Sequence, residues 1–461
     1  MTEQPAATGS PQAGGAQTGG AQPFSDKVVI LFLTQVTTSA VGIFNGFVLA
    51  RLLGPSAKGE YFVVTLLPLT IMVLVQFGLP QAFGFYSARG QTHRLTAKAL
   101  ILTAAVATPA FAATVLLLPW LRQAFLGGVD PGLVIFTMLA LPIALSGTLT
   151  SGIVIGRQAA RWYATVNIVQ VFASSILLVL IVAVLRLGLE GALIVFVLTA
   201  TMQATGFLIG AARRTAHTAG SEDVPVTSLF RYGLSLYPGS LSQFFSYRAD
   251  VYLLAFLLVD AAAPLGYYSM AVSMAEMVFF FPNAVSVLFF PHVAGSAPED
   301  SARQVPMVSR VTLLMTAAFG LALVPAAAVL IPLFVPAFTP ALAALYILLP
   351  GVVALSITKV LSGYVSGLGR TGLTSAISIG SFVLNVAVNF VLIPPFGILG
   401  AAAASLISYS ASSIAFSIVA GRLADAHPLD FWLPRLSDVR FVRATVFSLV
   451  RRIARRTAGS R

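Results

Sequence analysis

The chain has 461 residues, of which 57% are hydrophobic and only 9% are charged. A soluble domain carries about 25% charged residues and must present a polar exterior, so most of this exterior must face lipid. The composition excludes a soluble enzyme, a disordered scaffold and, despite a net charge of +12, a nucleic-acid-binding domain. Cysteine is absent, so thiolate metal sites are excluded, and nothing else in the sequence implies a metal or a cofactor.

After residues 1–26, which predict a disordered cytoplasmic tail, apolar runs of about 20 residues or more repeat along the chain. Each run is long enough to cross a bilayer as a helix. We therefore predict an all-α polytopic membrane protein with twelve transmembrane helices. The expected spans are 27–52, 59–87, 95–120, 132–155, 163–186, 190–212, 232–259, 265–291, 307–334, 338–364, 372–394 and 397–421.

The distribution of Lys and Arg predicts the orientation of these spans. With both termini in the cytoplasm, Arg248 and Lys359 fall inside spans, and 21 of the 27 basic residues lie on the cytoplasmic side. Such an excess follows the positive-inside rule and predicts a multi-pass protein of the cell membrane. The outer side receives four basic residues, which are Arg51, Lys58, Arg122 and Arg186.

Three short patterns recur at offsets of 207 to 211 residues, each at the same place in its half of the chain. Gly59-Glu60-Tyr61 corresponds to Gly266-Tyr267-Tyr268, and Ser151-Gly152 corresponds to Ser362-Gly363; Gly188-Leu189-Glu190-Gly191-Ala192 and Gly397-Ile398-Leu399-Gly400-Ala401 form the third pair. Because six spans return the chain to its starting side, this pattern predicts two six-helix lobes related by a parallel internal repeat. The alternative is that glycines simply end helices and permit close packing.

Two further stretches carry a family resemblance. Leu49-Ala50-Arg51-Leu52-Leu53-Gly54-Pro55 and Pro395-Phe396-Gly397-Ile398-Leu399-Gly400-Ala401 resemble the first hairpin and a late turn of Wzx-type polysaccharide flippases. These belong to the larger group of lipid II flippases and MATE exporters. The resemblance implies two lobes around a central cavity and flipping of an undecaprenyl-diphosphate-linked oligosaccharide to the outer leaflet for cell-surface polysaccharide biosynthesis. The expected partners are that lipid-linked oligosaccharide, membrane lipids and a proton or sodium ion, with no nucleic acid.

Two other classes of function remain open at this point. A MATE-like antiporter of drugs or cations would use the same fold, but such a protein favours an acidic cavity, whereas the intramembrane charges here are mixed. A membrane-embedded polymerase or glycosyltransferase would need a substantial outer loop, which the short connections between spans do not provide. The sequence therefore predicts a transporter rather than an enzyme.

Charges inside the spans supply the candidate binding residues, since a charge near the bilayer centre costs roughly 2.5–3.5 kcal/mol. A diphosphate that leaves water needs fixed cations, and guanidinium groups bind phosphate through paired hydrogen bonds. Arg51, Arg248 and Lys359 are the candidates. The alternatives are that Arg248 forms a structural ion pair, that Lys359 extends to the interface and that Arg51 anchors the outer interface beside Lys58 and Glu60.

The acids Asp250, Glu276 and Glu60 are the candidates for cation coupling, because a buried carboxyl group can take up a proton or sodium ion. Glu276 is also the expected partner if Arg248 forms a structural ion pair.

The expected organisation is an N-terminal lobe at 27–212, a cytoplasmic linker at 213–231, a C-terminal lobe at 232–421 and a basic tail at 422–461. Arginines and apolar residues alternate at helical spacing in that tail, which favours an amphipathic helix on the inner leaflet over a solvated tail.

Overall fold

The computed structural model describes residues 24–126, 129–215, 223–295, 297–438 and 440, and these form helices and short connections without a strand. The α-helices are α1 (Phe24–Val75), α2 (Leu79–Ala88), α3 (Leu95–Leu121), α4 (Pro131–Met138), α5 (Ala140–Gly156), α6 (Ala160–Leu177), α7 (Gly188–Thr215), α8 (Val226–Leu257), α9 (Ala262–Glu276), α10 (Phe280–Gly295), α11 (Pro298–Phe334), α12 (Ala341–Gly367), α13 (Thr371–Phe396) and α14 (Ile398–Ala424). Segments Arg122–Leu126 and Leu178–Val184 are π-helical, and Met277–Phe279, Pro336–Phe338 and Pro428–Phe431 are short 3₁₀ helices.

The first two expected spans are joined at a single glycine. Helix α1 is continuous except at Gly54, whose φ of 73° and ψ of 177° lie outside the helical region. An L-residue with a side chain rarely adopts such a conformation, and the following Pro55 cannot donate a backbone hydrogen bond. The Gly54-Pro55 pair therefore separates two helical segments without an intervening loop.

Within the described residues, nine helices are long and apolar enough to cross a membrane, which makes this a multi-pass membrane protein. One of the nine, Leu33–Val75, contains most of the first two expected spans. The expected spans at 232–259 and 265–291 are not among the nine. The first falls on α8, which carries Arg231, Arg248 and Asp250, and the second is divided between the short helices α9 and α10.

The parts of the chain before and after residue 223 contact each other at backbone distance in two places. A Cβ atom added to Gly59 of α1 would lie 1.8 Å from the carbonyl oxygen of Ala262 on α9, and one added to Gly266 would lie 2.0 Å from that of Pro55. At the second place, a Cβ on Gly78 would lie 2.2 Å from the carbonyl oxygen of Gly233 on α8. We call the first contact, between Pro55–Gly59 and Ala262–Met270, the α1–α9 seal.

The segment 425–438, which we call the strap, folds back against α11, α12 and α14. Its Phe431 is fully buried beside Tyr364 and Phe416. The guanidinium of Arg310 on α11 donates to both carboxylate oxygens of Asp438, at 2.6 and 3.3 Å. The strap therefore fixes the end of the described chain to the helix ends that it crosses. The predicted amphipathic helix of the basic tail lies almost entirely outside the described residues.

Candidate functional site

Arg248 of α8 and Glu276 of α9 are two of the charges that fall inside the expected spans. They form an ion pair with a distance of 3.0 Å between Nη2 of Arg248 and Oε1 of Glu276. The side chains retain 25% and 38% of their exposure, respectively. A pair that remains this accessible can still exchange its partner for an incoming ion. The structure therefore contains the Arg248–Glu276 ion pair that the sequence offered as an alternative, and Arg248 remains accessible to a ligand.

Glu276 also lines a cavity of about 230 Å³ between α1 and the α9–α10 region. The α1 wall contributes small and apolar residues, among them Gly42, Gly46 and Phe47. The opposite wall includes Met270 and Ser273. The cavity thus lies between the N-terminal and C-terminal parts of the chain.

Lys359 of α12 is connected with the same ion pair by the aromatic rings of Tyr247 and Phe279. Its Nζ lies 5.2 Å from the ring centroid of Tyr247 and 5.6 Å from that of Phe279. Tyr247, Phe279 and Glu276 line a second, smaller cavity of about 20 Å³, which is room for about one water molecule. Within the described part of the chain, no carboxylate lies within ion-pair distance of Lys359. Its ammonium group is instead stabilised by cation–π contacts with the faces of the two rings.

Asp250 is only 3% exposed and occupies a different face of α8 from Arg248. Its carboxylate accepts hydrogen bonds from the hydroxyl of Tyr268 on α9, from Ser405 Oγ on α14 at 3.3 Å and from the backbone N–H of Val251 at 2.9 Å. These three donors satisfy a carboxylate that is buried among three helices. Asp250 also lines the 20 Å³ cavity together with Glu276.

Further polar groups extend this network along α13 and α14. Ser408 Oγ lies 2.8 Å from the carbonyl oxygen of Ala404 and 3.2 Å from that of Ser405, and it receives a hydrogen bond from Asn385 Nδ2 at 3.0 Å. Asn389 donates to the side-chain oxygen of Asn385 at 3.0 Å. The Oδ1 atom of Asn389 is buried with no hydrogen-bond partner in the structure, so the network ends in a free acceptor. No cluster of three or more His, Asp or Glu in the described ranges could hold a metal ion.

Arg51 and Glu60 lie apart from this group. The Nη1 of Arg51 donates to the carbonyl of Phe334, the last residue of α11, at 2.8 Å, and the side chain is exposed. Glu60 lines a cavity of about 450 Å³ at the ends of α8 and α9, together with Asp260. The structure therefore brings together Arg248, Lys359, Asp250 and Glu276, and it does not bring Arg51 or Glu60 to them.

Sequence reasoning missed the hydrogen-bond donors to Asp250. Tyr268 belongs to the Gly266-Tyr267-Tyr268 pattern, which did not indicate a contact with Asp250. Ser405 is one of several serines at helical spacing on α14, together with Ser408 and Ser412. Such a run of serines in an apolar span indicates a polar helix face, and this signal could have identified α14 as the partner of the acid.

Comparison with known families identifies a match over the N-terminal part. A family model described as a polysaccharide biosynthesis protein matches residues 24–294. A curated relative, the probable low-salt glycan biosynthesis flippase Agl15 of Haloferax volcanii, is 27% identical over 193 residues. The aligned region covers 41% of this chain and 40% of that protein, so the match spans well under half the length of the relative.

Two solved structures share the fold. The lipid II flippase MurJ in an inward closed conformation aligns with a TM-score of 0.69 and 12% identity, over 87% of this chain and 89% of that one. An inward-facing multidrug resistance MATE family transporter of the MOP superfamily aligns with a TM-score of 0.67 and 13% identity, over 86% of this chain and 98% of that one. At these identities the likeness establishes the fold alone.

Proposed function

We infer that this chain, which belongs to the polysaccharide biosynthesis protein family, is a transporter of a lipid-linked glycan. The proposed reaction is flipping of an undecaprenyl-diphosphate-linked oligosaccharide from the inner to the outer leaflet of the cell membrane. The name of the Haloferax volcanii relative and that of MurJ both describe flippases, which supports this class of function.

The observation that carries the proposal is that both cations contact residues that line the cavities. Arg248 pairs with Glu276, which lines both cavities, and Lys359 lies over the rings of Tyr247 and Phe279, which line the smaller one. A diphosphate that leaves water loses its hydration, and fixed cations in the protein replace it. Arg248 can exchange its contact with Glu276 for the phosphate oxygens, and Lys359 can leave the ring faces of Tyr247 and Phe279. Arg51 would contribute only after it releases the carbonyl of Phe334.

The proposed architecture has twelve spans in two six-helix lobes related by a parallel repeat, with both termini in the cytoplasm. The lobes are 27–212 and 232–421, the linker 213–231 joins them, and residues 1–26 and 422–461 are the tails. Support comes from the interhelical contacts, because α1 meets α9 and α2 meets α8, and from the cavity between α1 and the α9–α10 region. The prenyl chain would remain in lipid beside this cavity while the head group crosses.

Coupling to a proton or sodium ion is proposed at the acids. Asp250 combines deep burial with a polar network that ends in the free Oδ1 of Asn389, and carboxylate and amide oxygens are suitable ligands for a hard cation. Glu276 lines both the 20 Å³ cavity beside Asp250 and the 230 Å³ cavity, which we take as the transport cavity. Uptake of a cation by Glu276 would release Arg248. Glu60, in the separate 450 Å³ cavity, is the third candidate.

A MATE-like exporter of cationic compounds is the second candidate, because the fold is shared and Glu276 faces the cavity. The two candidates differ in the sign of the charge that the cavity must hold. Replacing Arg248 by Ala removes a cation, which would weaken the transport of an anionic head and strengthen the binding of a cationic drug.

The deciding experiment is deletion of the gene followed by analysis of lipid-linked sugars on the inner leaflet. We expect one lipid-linked oligosaccharide to accumulate and the wild-type gene to clear it. The Arg248→Ala variant should reach the membrane in normal amount without clearing the intermediate. Normal glycan export in the deletion strain, with loss of drug efflux, would replace the proposal by the antiporter.

A further inference from the structure

Lys58 is buried in the α1–α9 seal without an acidic partner. Its side chain is 5% exposed, and no carboxylate in the described ranges lies within ion-pair distance of its Nζ. Buried lysines are rare unless they are paired, because the ammonium loses its hydration. An apolar residue would fill this position without that loss, so the charge calls for an explanation other than packing.

Both contacts of the Lys58 ammonium cross from the N-terminal to the C-terminal part of the chain. Its Nζ lies 3.4 Å from the Sδ atom of Met270 on α9 and 4.9 Å from the ring centroid of Phe338, which precedes α12. A thioether and a ring face offset part of the lost hydration, but neither neutralises the charge. If the two parts of the chain separate at the seal, the ammonium loses both contacts and becomes available to an anion.

Met270 also connects Lys58 with the transport cavity. It lines the 230 Å³ cavity together with Glu276, which lies six residues further along the helix, or about 9 Å at the α-helical rise. Lys58 therefore lies one side chain away from the cavity, on the side away from the Arg248–Glu276 pair. Met is unbranched and flexible, so a change in its rotamer would shorten the separation between Lys58 and the cavity.

We propose that Lys58 is a second anion-binding residue for the diphosphate head, which it contacts when the α1–α9 seal opens. Arg248 holds the head in the closed state, and Lys58 receives it on the far side of Met270. The phosphate oxygens supply the counter-charge that the seal lacks, so arrival of the head favours opening. This assignment rests on the proposed function, since it requires an anionic head in the cavity.

The test uses the absence of native cysteine. A single cysteine introduced as Ala262→Cys at the seal reports opening through its labelling by a membrane-impermeant maleimide in liposomes. The probe is geranyl diphosphate, with geraniol as the uncharged comparison. We expect the diphosphate to increase labelling in the reference protein and geraniol to have no effect.

In this background, Lys58→Met should raise the diphosphate concentration for half-maximal labelling by about tenfold, because one charged hydrogen-bonding contact is lost. Lys58→Arg should retain most of the response, because the charge remains. Arg122→Gln is the matched control. Arg122 is a basic residue that is predicted, like Lys58, to lie on the outer side of the membrane, and its Nε donates to the carbonyl of Val129 outside the seal. The Lys58→Met protein should unfold at or above the temperature of the reference, because a buried charge has been removed.

An unchanged half-maximal concentration in Lys58→Met would overturn the assignment, and so would a lowered unfolding temperature with normal opening, which indicates a structural lysine. If the reference responds and the response needs Arg248 but not Lys58, the proposed function stands and the role of Lys58 is rejected. If the reference does not respond and the deletion strain accumulates no lipid-linked sugar, the proposed function fails, and the role of Lys58 fails with it.

Discussion

Tyr268 donates its hydroxyl hydrogen to the carboxylate of Asp250, which ties α9 to α8 at the most deeply buried acid of the candidate site. Neutralising this acid with Asp250→Asn should make transport independent of the ion gradient and slow it, since the coupling ion no longer has a carboxylate to bind. Tyr268→Phe removes one donor to Asp250 and should shift the ion dependence without abolishing it. Initial rates in liposomes with imposed proton or sodium gradients measure both effects.

The neighbouring Tyr267→Phe variant serves as the control. Tyr267 is not one of the three donors to Asp250, and Phe keeps the ring that packs against Phe338. Gradient dependence that persists in Asp250→Asn and in Glu276→Gln would reject coupling at these acids.

A charge swap distinguishes a structural from a transporting role of Arg248. The double variant Arg248→Glu with Glu276→Arg retains an ion pair between α8 and α9. Its unfolding temperature should therefore lie within a few degrees of that of the wild type. Export should remain absent, because the cation has moved to the other helix and no longer occupies the same position. Complementation of the deletion strain provides the readout. Restored export in the double variant would show that the pair matters only for packing.

Lys359→Met should reduce the initial rate of export by about tenfold, as expected from the loss of one charged contact to phosphate. The apolar side chain still fits against Tyr247 and Phe279, so the amount of folded protein should not change. Lys359→Arg keeps a cation against both rings and is the matched comparison. A normal rate for Lys359→Met would support the alternative that this lysine only extends to the interface.

Gly59→Ala should prevent the α1–α9 seal from closing, because the added methyl group would lie 1.8 Å from the carbonyl oxygen of Ala262. We expect faster hydrogen exchange in the Ala262–Met270 segment, measured by mass spectrometry, together with slower export. Gly380→Ala is the control, since a methyl group added at Gly380 would meet nothing within 4 Å. Equal exchange in the two variants would contradict a tight seal.

The strap provides a prediction on pH. The hydrogen bond from Arg310 lowers the pKa of the Asp438 carboxyl below its ordinary value, and the backbone N–H of Arg435 adds to the effect. Since the folded pKa lies below the unfolded one, the pair stabilises the fold fully above about pH 4 and loses this contribution as the pH falls through the folded pKa. Thermal unfolding in detergent between pH 3 and 7 should show this loss.

Asp438→Asn should lower the stability by about 3 kcal/mol near neutral pH, because it leaves the buried Arg310 uncompensated. It should also remove part of the acid-induced loss. Asp425→Asn is the control, because Asp425 is exposed and its positive φ of 50° is one that Asn also tolerates. Equal unfolding temperatures for Asp438→Asn and Asp425→Asn would contradict the role of the ion pair.

The sequence predicted the all-helical membrane class and the family correctly, because both follow from long apolar runs and from local motifs. It placed a connection at 53–58, where the chain departs from helical geometry only at Gly54. It could not predict the division of 265–291 into α9 and α10, since this depends on packing between distant helices. For the same reason it left the partner of Arg248 open between Glu276 and a ligand. Lys58 looked like an outer surface residue, because its burial results from α9 and Phe338, which lie more than 200 residues away.

The strap has a mechanical consequence for any alternating movement. Phe431 and Asp438 connect the strap to α11, and Trp432 donates to Ser417 on α14 at 2.9 Å. The ends of α11 and α14 on this side are therefore cross-braced and should travel together as one block. In the proposed transport cycle, bending would then occur at joints outside this block, and the Gly54-Pro55 junction, with its departure from helical geometry, is one such joint.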